Sequence, residues 1–240
     1  MTLRHFVHVC FRINIWKTLW FNFKKLPCNQ AVKLPIVIYN NVIIRNILNT
    51  GGVCVHSDNI KTGMIRIGFR DMGIQDERHC RTILDLRKNS HLTFKGTASI
   101  GGGTRMYVKG DLIIGNNFYL SLNSQLIAHH KIQFGDDCTV GWNVLIMDTD
   151  FHMTKSYSNN HPFPMTSSIE IGNHCWICNG SQILKDTKLP EDCIVGAMSL
   201  CNKPYAIPSH SLIAGIPAVL EKGYYSCTIN SLYCPTFMRT

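Results

Sequence analysis

FGDDCTVGWNVLIMDTDFH, residues 134–152, places an apolar side chain every six residues, at Phe134, Val140 and Ile146, with Gly135 and Gly141 directly behind the first two. The beat then stops, and Asp148, Asp150 and His152 stand where the next step is due. Working outward, the same period recurs on both sides. Phe94, Ile100 and Met106 form one run, Ile114, Leu120 and Leu126 the next, and Ile171, Ile177, Ile183, Leu189 and Val195 the strictest. A column of small residues sits four positions after the apolar one, at Cys138, Val144, Cys175, Ser181, Thr187, Cys193 and Ser199. Neither a helix, repeating every 3.6 residues, nor a strand, repeating every two, produces such a period. A fixed repeat marks a solenoid. Three six-residue sides make one turn of a triangular prism: the apolar residue points inward, glycine takes the crowded bend, and the small residue fits the narrow cross-section. Each coil buries itself only against its neighbours, so the two ends need caps.

The fold class expected is therefore mainly β, a parallel β-helix of hexapeptide repeats with an N-terminal amphipathic helix and a short C-terminal cap. Three segments are drawn: 1–50 as helix and lead-in strands, 51–220 as the β-helix with a loop extruded at 152–168, and 221–240 as a tail. Pro35–Tyr39, Val42–Ile47 and Met64–Gly68 read as strands, and the polar run Asp71–His79 as a loop. In residues 3–23, Arg4, His8 and Arg12 recur every four, with Leu3, Phe6, Val7, Cys10 and Ile13 opposite them. That pattern predicts an amphipathic helix that packs on the core as a cap. The alternative is a basic anchor lying on a membrane. Arg12, Asn14 and Lys17 interrupt the apolar run, which falls short of the ~20 residues a bilayer needs.

With 45% hydrophobic and 16% charged residues the chain is globular, not disordered. A net charge of +9 favours anionic partners. The 11 cysteines are scattered, with no dense framework and no secretory leader, which points to reduced thiols and a cytoplasmic location, at the inner face of the membrane if the helix is an anchor. Cys175 and Cys178 lack a second pair at zinc spacing, so no metal is expected.

The [LIV]-G-x-x-[small]-x pattern over residues 92–220 resembles the hexapeptide-repeat acyltransferases, whose fold is a left-handed parallel β-helix. Phe118–His152 is similar to the active-site half of the maltose and galactoside O-acetyltransferases: Asn123 stands twelve residues before Gly135, and a loop histidine, His152, follows. The DTDFH loop is similar to one in capsule and exopolysaccharide acetyltransferases. Val195-Gly-Ala-Met-Ser and Ala214-Gly-Ile-Pro-Ala218 resemble the family's closing signature. The resemblance implies acetyl transfer from acetyl-CoA to a sugar or glycan hydroxyl, in a homotrimer with sites between subunits and without nucleic acid. It implies His152 as general base, Asn123 as the residue that positions the acceptor or the histidine, and Trp176, Asn179, Ala197, Asn202 and Lys203 as contacts of the coenzyme. Cys178, Met198, Asn202 and Pro204 depart from the family pattern.

The chemistry agrees with that assignment. A free alcohol is a poor nucleophile near neutral pH, and histidine, with an ordinary pKa of about 6.5, is suited to take its proton. A carboxylate or backbone carbonyl should hold the other ring nitrogen, with Asp148 and Asp150 as candidates. Two other classes stay open. One is a zinc-dependent γ-class carbonic-anhydrase-like protein, which needs three zinc-bound histidines, although His152 and His161 are nine apart. The other is a non-catalytic scaffold anchored to a membrane by its helix.

Overall fold

The computed structural model describes residues 12–46, 51–69, 76, 80–158 and 162–224. Residues 3–11 of the predicted helix at 3–23, most of the loop at Asp71–His79, His161, and the tail from 225 onward lie outside the described residues.

The apolar columns run through the core as the period requires. Ile100 pairs with Leu120, Leu120 with Val140, Val140 with Ile177, Ile177 with Val195 and Val195 with Ile213, all in parallel register. Met106, Leu126, Ile146, Ile183 and Cys201 form a second column, and Phe134, Ile171 and Leu189 belong to a third. Each of these residues is buried. Three parallel sheets result. The first runs from Ile36–Ile38 to Ser211–Gly215, the second from Val42–Arg45 to Leu200–Cys201, and the third from Gly52–Val55 to Lys188–Leu189. Successive coils spend one strand on each sheet in turn, and the fold is a left-handed parallel β-helix.

The prism starts earlier than the six-residue period. Ile36–Ile38 and Val42–Arg45 are the first strands of the first and second sheets, not a lead-in ahead of residue 51. The period is lost there because the first coils are long: Ile36 pairs with Ile65, 29 residues on, and Ile65 with Ala98, a further 33. Ile177, Val195 and Ile213 are 18 residues apart, but Ile100, Leu120 and Val140 are 20 apart. The surplus falls at the edge between the second and third sheets, at Lys109-Gly110 and His129-His130. In the fifth coil the same edge extrudes the whole loop between Met147 and Ile169, four residues earlier than the expected start at 152.

The helix differs from expectation in place and in continuity. Arg12–Asn14 is not helical: Ile13 forms a bridge to Tyr39, and Asn14 caps a helix, α1, at Ile15–Lys25 by accepting from the Lys17 N–H at 2.9 Å. A short α2 follows at Cys28–Ala31. Helix α1 closes the open end of the prism with side chains. Thr18 Oγ1 accepts from the Ile38 N–H at 3.0 Å, and Asn22 both accepts from the Ile36 N–H and donates to the Ile36 carbonyl. Those are the groups an edge strand would otherwise expose. At the far end Ala218–Tyr224 folds back antiparallel on Ser211–Gly215. Among the described residues no helix is long and apolar enough to cross a membrane.

Four cysteines serve as core, three in the small column and Cys201 in the second apolar column. Cys138, Cys175, Cys193 and Cys201 are fully buried, and burial pushes the Cys193 and Cys201 thiols up to about 11. The thiols of Cys138 and Cys175 donate to the carbonyls of Gly172 and Pro190. Reaction needs the thiolate and access. Iodoacetamide on the native protein at mildly alkaline pH is therefore expected to alkylate the exposed Cys28 and Cys54 and to leave these four unmodified until denaturant is added, as peptide mass mapping would read out.

Candidate active site

The DTDFH segment leaves the prism at Asp148, and its geometry is built from the root upward. Asp148 is fully buried. Its Oδ1 accepts from the His129 N–H at 2.7 Å and its Oδ2 from the His130 N–H at 2.8 Å, so it satisfies the backbone of the coil beneath. Burial pushes its carboxyl above the ordinary carboxylate range, while the amides of His129, His130 and Lys131 pull it back. Both oxygens are turned to this task, so Asp148 is the anchor of the loop and does not orient His152.

Above the root the two limbs are tied together. Thr149 bridges Thr166, the Asp150 N–H donates to the Met165 carbonyl at 2.9 Å, and the Ser167 N–H donates to the Asp148 carbonyl at 3.1 Å. A small hairpin, Thr154–Lys155 against Pro162–Phe163, forms further out. Phe151 adopts a positive φ of 59° and turns its ring edge-on to His129.

His152 is exposed at the tip of this turn. Its Nδ1 lies 3.1 Å from the backbone carbonyl oxygen of Asp150. A carbonyl only accepts, so Nδ1 carries the hydrogen, and in the neutral ring Nε2 is the acceptor atom. The side chain of Asp150 does something else: its carboxylate pairs with Lys185 at 2.5 Å. The companion expected from Asp150 is thus supplied by its main chain, not by its carboxylate.

The remaining candidates divide between two edges of the prism. Asn123, Asn179 and Ala197 sit at turns between the first and second sheets, and Trp176 precedes them on the first sheet. Asp150, His152, Asn202 and Lys203 lie at the edge between the second and third sheets. Within one chain Asn123 and His152 are a full side of the prism apart, on the order of 15–20 Å by strand length. Asn123 also has a local reason to be asparagine, because its φ is 58° and Asn143, one coil on, repeats the conformation at 56°. Trp176 is 37% exposed, as is Trp142 on the same edge, and Lys203 sits over the Tyr205 ring at 5.7 Å. Among the described residues no group of three His, Cys, Asp or Glu side chains is placed to hold a metal ion.

Sequence reasoning missed two features at the loop edge. Lys185 and the Lys109–His129 pairing carry no motif; they come together only because coils stack. Lys109 Nζ lies 2.9 Å from His129 Nε2. Burial first, and the Lys109 charge second, hold the His129 imidazole below its ordinary pKa. A depressed histidine contributes stability that is complete above its unfolded value of about 6.5 and is lost as pH falls towards the folded value. Urea midpoints are therefore expected to drop between pH 7.5 and 5.5, and to drop less in Lys109→Met, in which one of the two leading causes is gone.

No protein-family model matches the chain. Over 107 residues it is 28% identical to the galactoside O-acetyltransferase of Escherichia coli K12, covering 43% of this chain and 50% of that protein. The chain thus spans about half the length of that curated relative. It is 25% identical over 160 residues to WbbJ of the same organism, named a lipopolysaccharide biosynthesis O-acetyl transferase, covering 61% of this chain and 81% of WbbJ. Among solved structures, the polySia-specific acetyltransferase NeuO superposes with a TM-score of 0.53 at 15% identity, over 80% of this chain and 88% of that one, a likeness of fold.

Proposed function

This chain is a relative of the hexapeptide-repeat acetyltransferases, and on that premise we propose that it is an acetyl-CoA-dependent O-acetyltransferase acting on a sugar hydroxyl in surface-polysaccharide biosynthesis. The observation that carries the reading is the ring of His152, with Nδ1 held by the Asp150 carbonyl and Nε2 free at the tip of the loop. Nε2 takes the acceptor's hydroxyl proton as that oxygen attacks the thioester carbonyl. The tetrahedral oxyanion collapses, the carbon–sulfur bond breaks, and the proton passes to the departing thiolate of coenzyme A. The buried thiols of Cys138, Cys175, Cys193 and Cys201 are not placed for a covalent intermediate, which supports direct transfer.

Acetyl-CoA enters as the co-substrate. Trp176, Asn179 and Ala197 would line its path on one edge, and Asn202 and Lys203 on the other. Lys203 supplies a cation for a phosphate. The division of these residues between two edges supports a homotrimer in which the His152 edge of one copy faces the Trp176 edge of the next, with Asn123 assisting across that junction. The exposed Ile15, Trp16 and Phe23 on α1, with Lys24 and Lys25 at its end, support peripheral contact with the inner face of the membrane.

Release of coenzyme A, followed across a panel of neutral, acidic and amino sugars, tests the activity and separates O- from N-transfer by product mass. Sedimentation of an active monomer would sink the shared site while leaving the chemistry intact.

A further inference from the structure

One side chain outside every motif holds the candidate loop in shape. Lys185 follows the strand Gln182–Leu184, one coil above the root of the loop and at the same edge. Its side chain is only 23% exposed. Its Nζ pairs with the Asp150 carboxylate at 2.5 Å and donates to the Pro164 carbonyl at 2.6 Å. Asp150 belongs to the outgoing limb and Pro164 to the returning one, so a single ammonium group staples both limbs to the rigid prism. Asp150 is also the residue whose carbonyl holds His152 Nδ1. The neighbouring carboxylates are engaged elsewhere: Asp186 with Ser167 Oγ, and Asp148 with the amides of His129 and His130.

We propose that Lys185 is a positioning residue for His152: by fixing Asp150 and Pro164 together it sets the carbonyl that orients the imidazole and selects its tautomer. The proposal rests on the reading of His152 as base for its catalytic meaning, but the orientation itself can be tested without substrate. The physical reason for an effect is leverage. The loop spans Asp148 to Ser168 between its two strands, and beyond its root the staple is the contact that ties Asp150 down from the next coil. Lysine's compact charge serves two acceptors at once; an arginine can keep both bonds, whereas a methionine of similar length keeps neither.

The test uses the full chain in three forms, Lys185→Met, Lys185→Arg and His152→Ala. The imidazole 15N signals of His152 are recorded without substrate, assigned by their loss in His152→Ala. In the wild type they are expected to show one tautomer with hydrogen on Nδ1; in Lys185→Met they are expected to move towards a mixture, and in Lys185→Arg to return towards wild type. Coenzyme A release with acetyl-CoA and a methyl galactoside as probe acceptor is expected to show kcat reduced by about 100-fold in Lys185→Met, the scale of a misplaced reacting group, with KM for acetyl-CoA little changed. Thermal unfolding of each variant separates this from loss of fold. Unchanged ring signals in a folded Lys185→Met overturn the proposal. Full activity in His152→Ala sinks the base assignment instead, and leaves the ring signals to decide whether Lys185 orients the side chain.

Discussion

Replacing His152 by alanine is expected to lower kcat/KM for acetyl transfer by about 10²–10⁴-fold, the range a positioned general base contributes. The melting temperature should stay close to that of the wild type, because the side chain is exposed and its one recorded bond goes to a carbonyl within its own loop. Activity and stability therefore come apart at this position. Asp150→Asn is the informative partner. It keeps the main-chain carbonyl that holds Nδ1 but weakens the pairing with Lys185. A smaller loss than in His152→Ala is expected, since the acceptor atom is retained and only its anchorage is loosened. Steady-state kinetics on the two variants check this. Wild-type turnover in His152→Ala would remove the proposed base.

Gly115→Ala is expected to cost about 3 kcal/mol or more, at the upper end of overpacking effects, and to lower the melting temperature by roughly 10 °C. A Cβ at this position would lie 2.0 Å from the Gly135 carbonyl oxygen, 2.3 Å from its carbon and 2.7 Å from the Asp136 nitrogen. All three are backbone atoms of the next coil, so no side chain can swing aside. Relief requires the coils to separate, against the parallel ladder that sets their spacing at about 4.8 Å. Gly52→Ala is the control. Its added carbon would meet His91 and Ser90 at 3.6 and 3.8 Å, ordinary contact distances, and little change is expected. Circular dichroism melts of the two variants decide the matter; similar melts would mean that the close approach of coils at Gly115 is not what the glycine serves.

These two positions also show what was legible beforehand. Gly115 and its fellows could be read as bends from the six-residue beat, since every coil meets the same constraint and repeats the same answer. His152 could be read because the beat breaks beside it. The role of Asp150 could not, because carboxylate and carbonyl belong to one residue, and only the turn made by Phe151 decides which of them meets the ring. Asn123 looked like a partner of His152 along the chain, yet the coil carries the two to different edges. The helix was drawn through Arg12–Asn14 because its apolar pattern continues there, but Ile13 instead bridges Tyr39 and Asn14 caps the helix proper.

What the sequence by itself determined is the prism: a period of six apolar positions, small residues at the inner corners, and a histidine where the pattern yields to a loop. Such features are local and repeat in every coil, so the chain states them many times. What only the tertiary structure decided is how residues distant in sequence meet. Lys185 reaches Asp150 and Pro164, Lys109 reaches His129, Asp148 reaches back to His129 and His130, and the candidate site residues divide between two edges. Those meetings depend on how many residues each coil spends between sheets, 18 in one region and 20 in another. One coil also spends a whole loop there. Stacking turns those differences in length into neighbours.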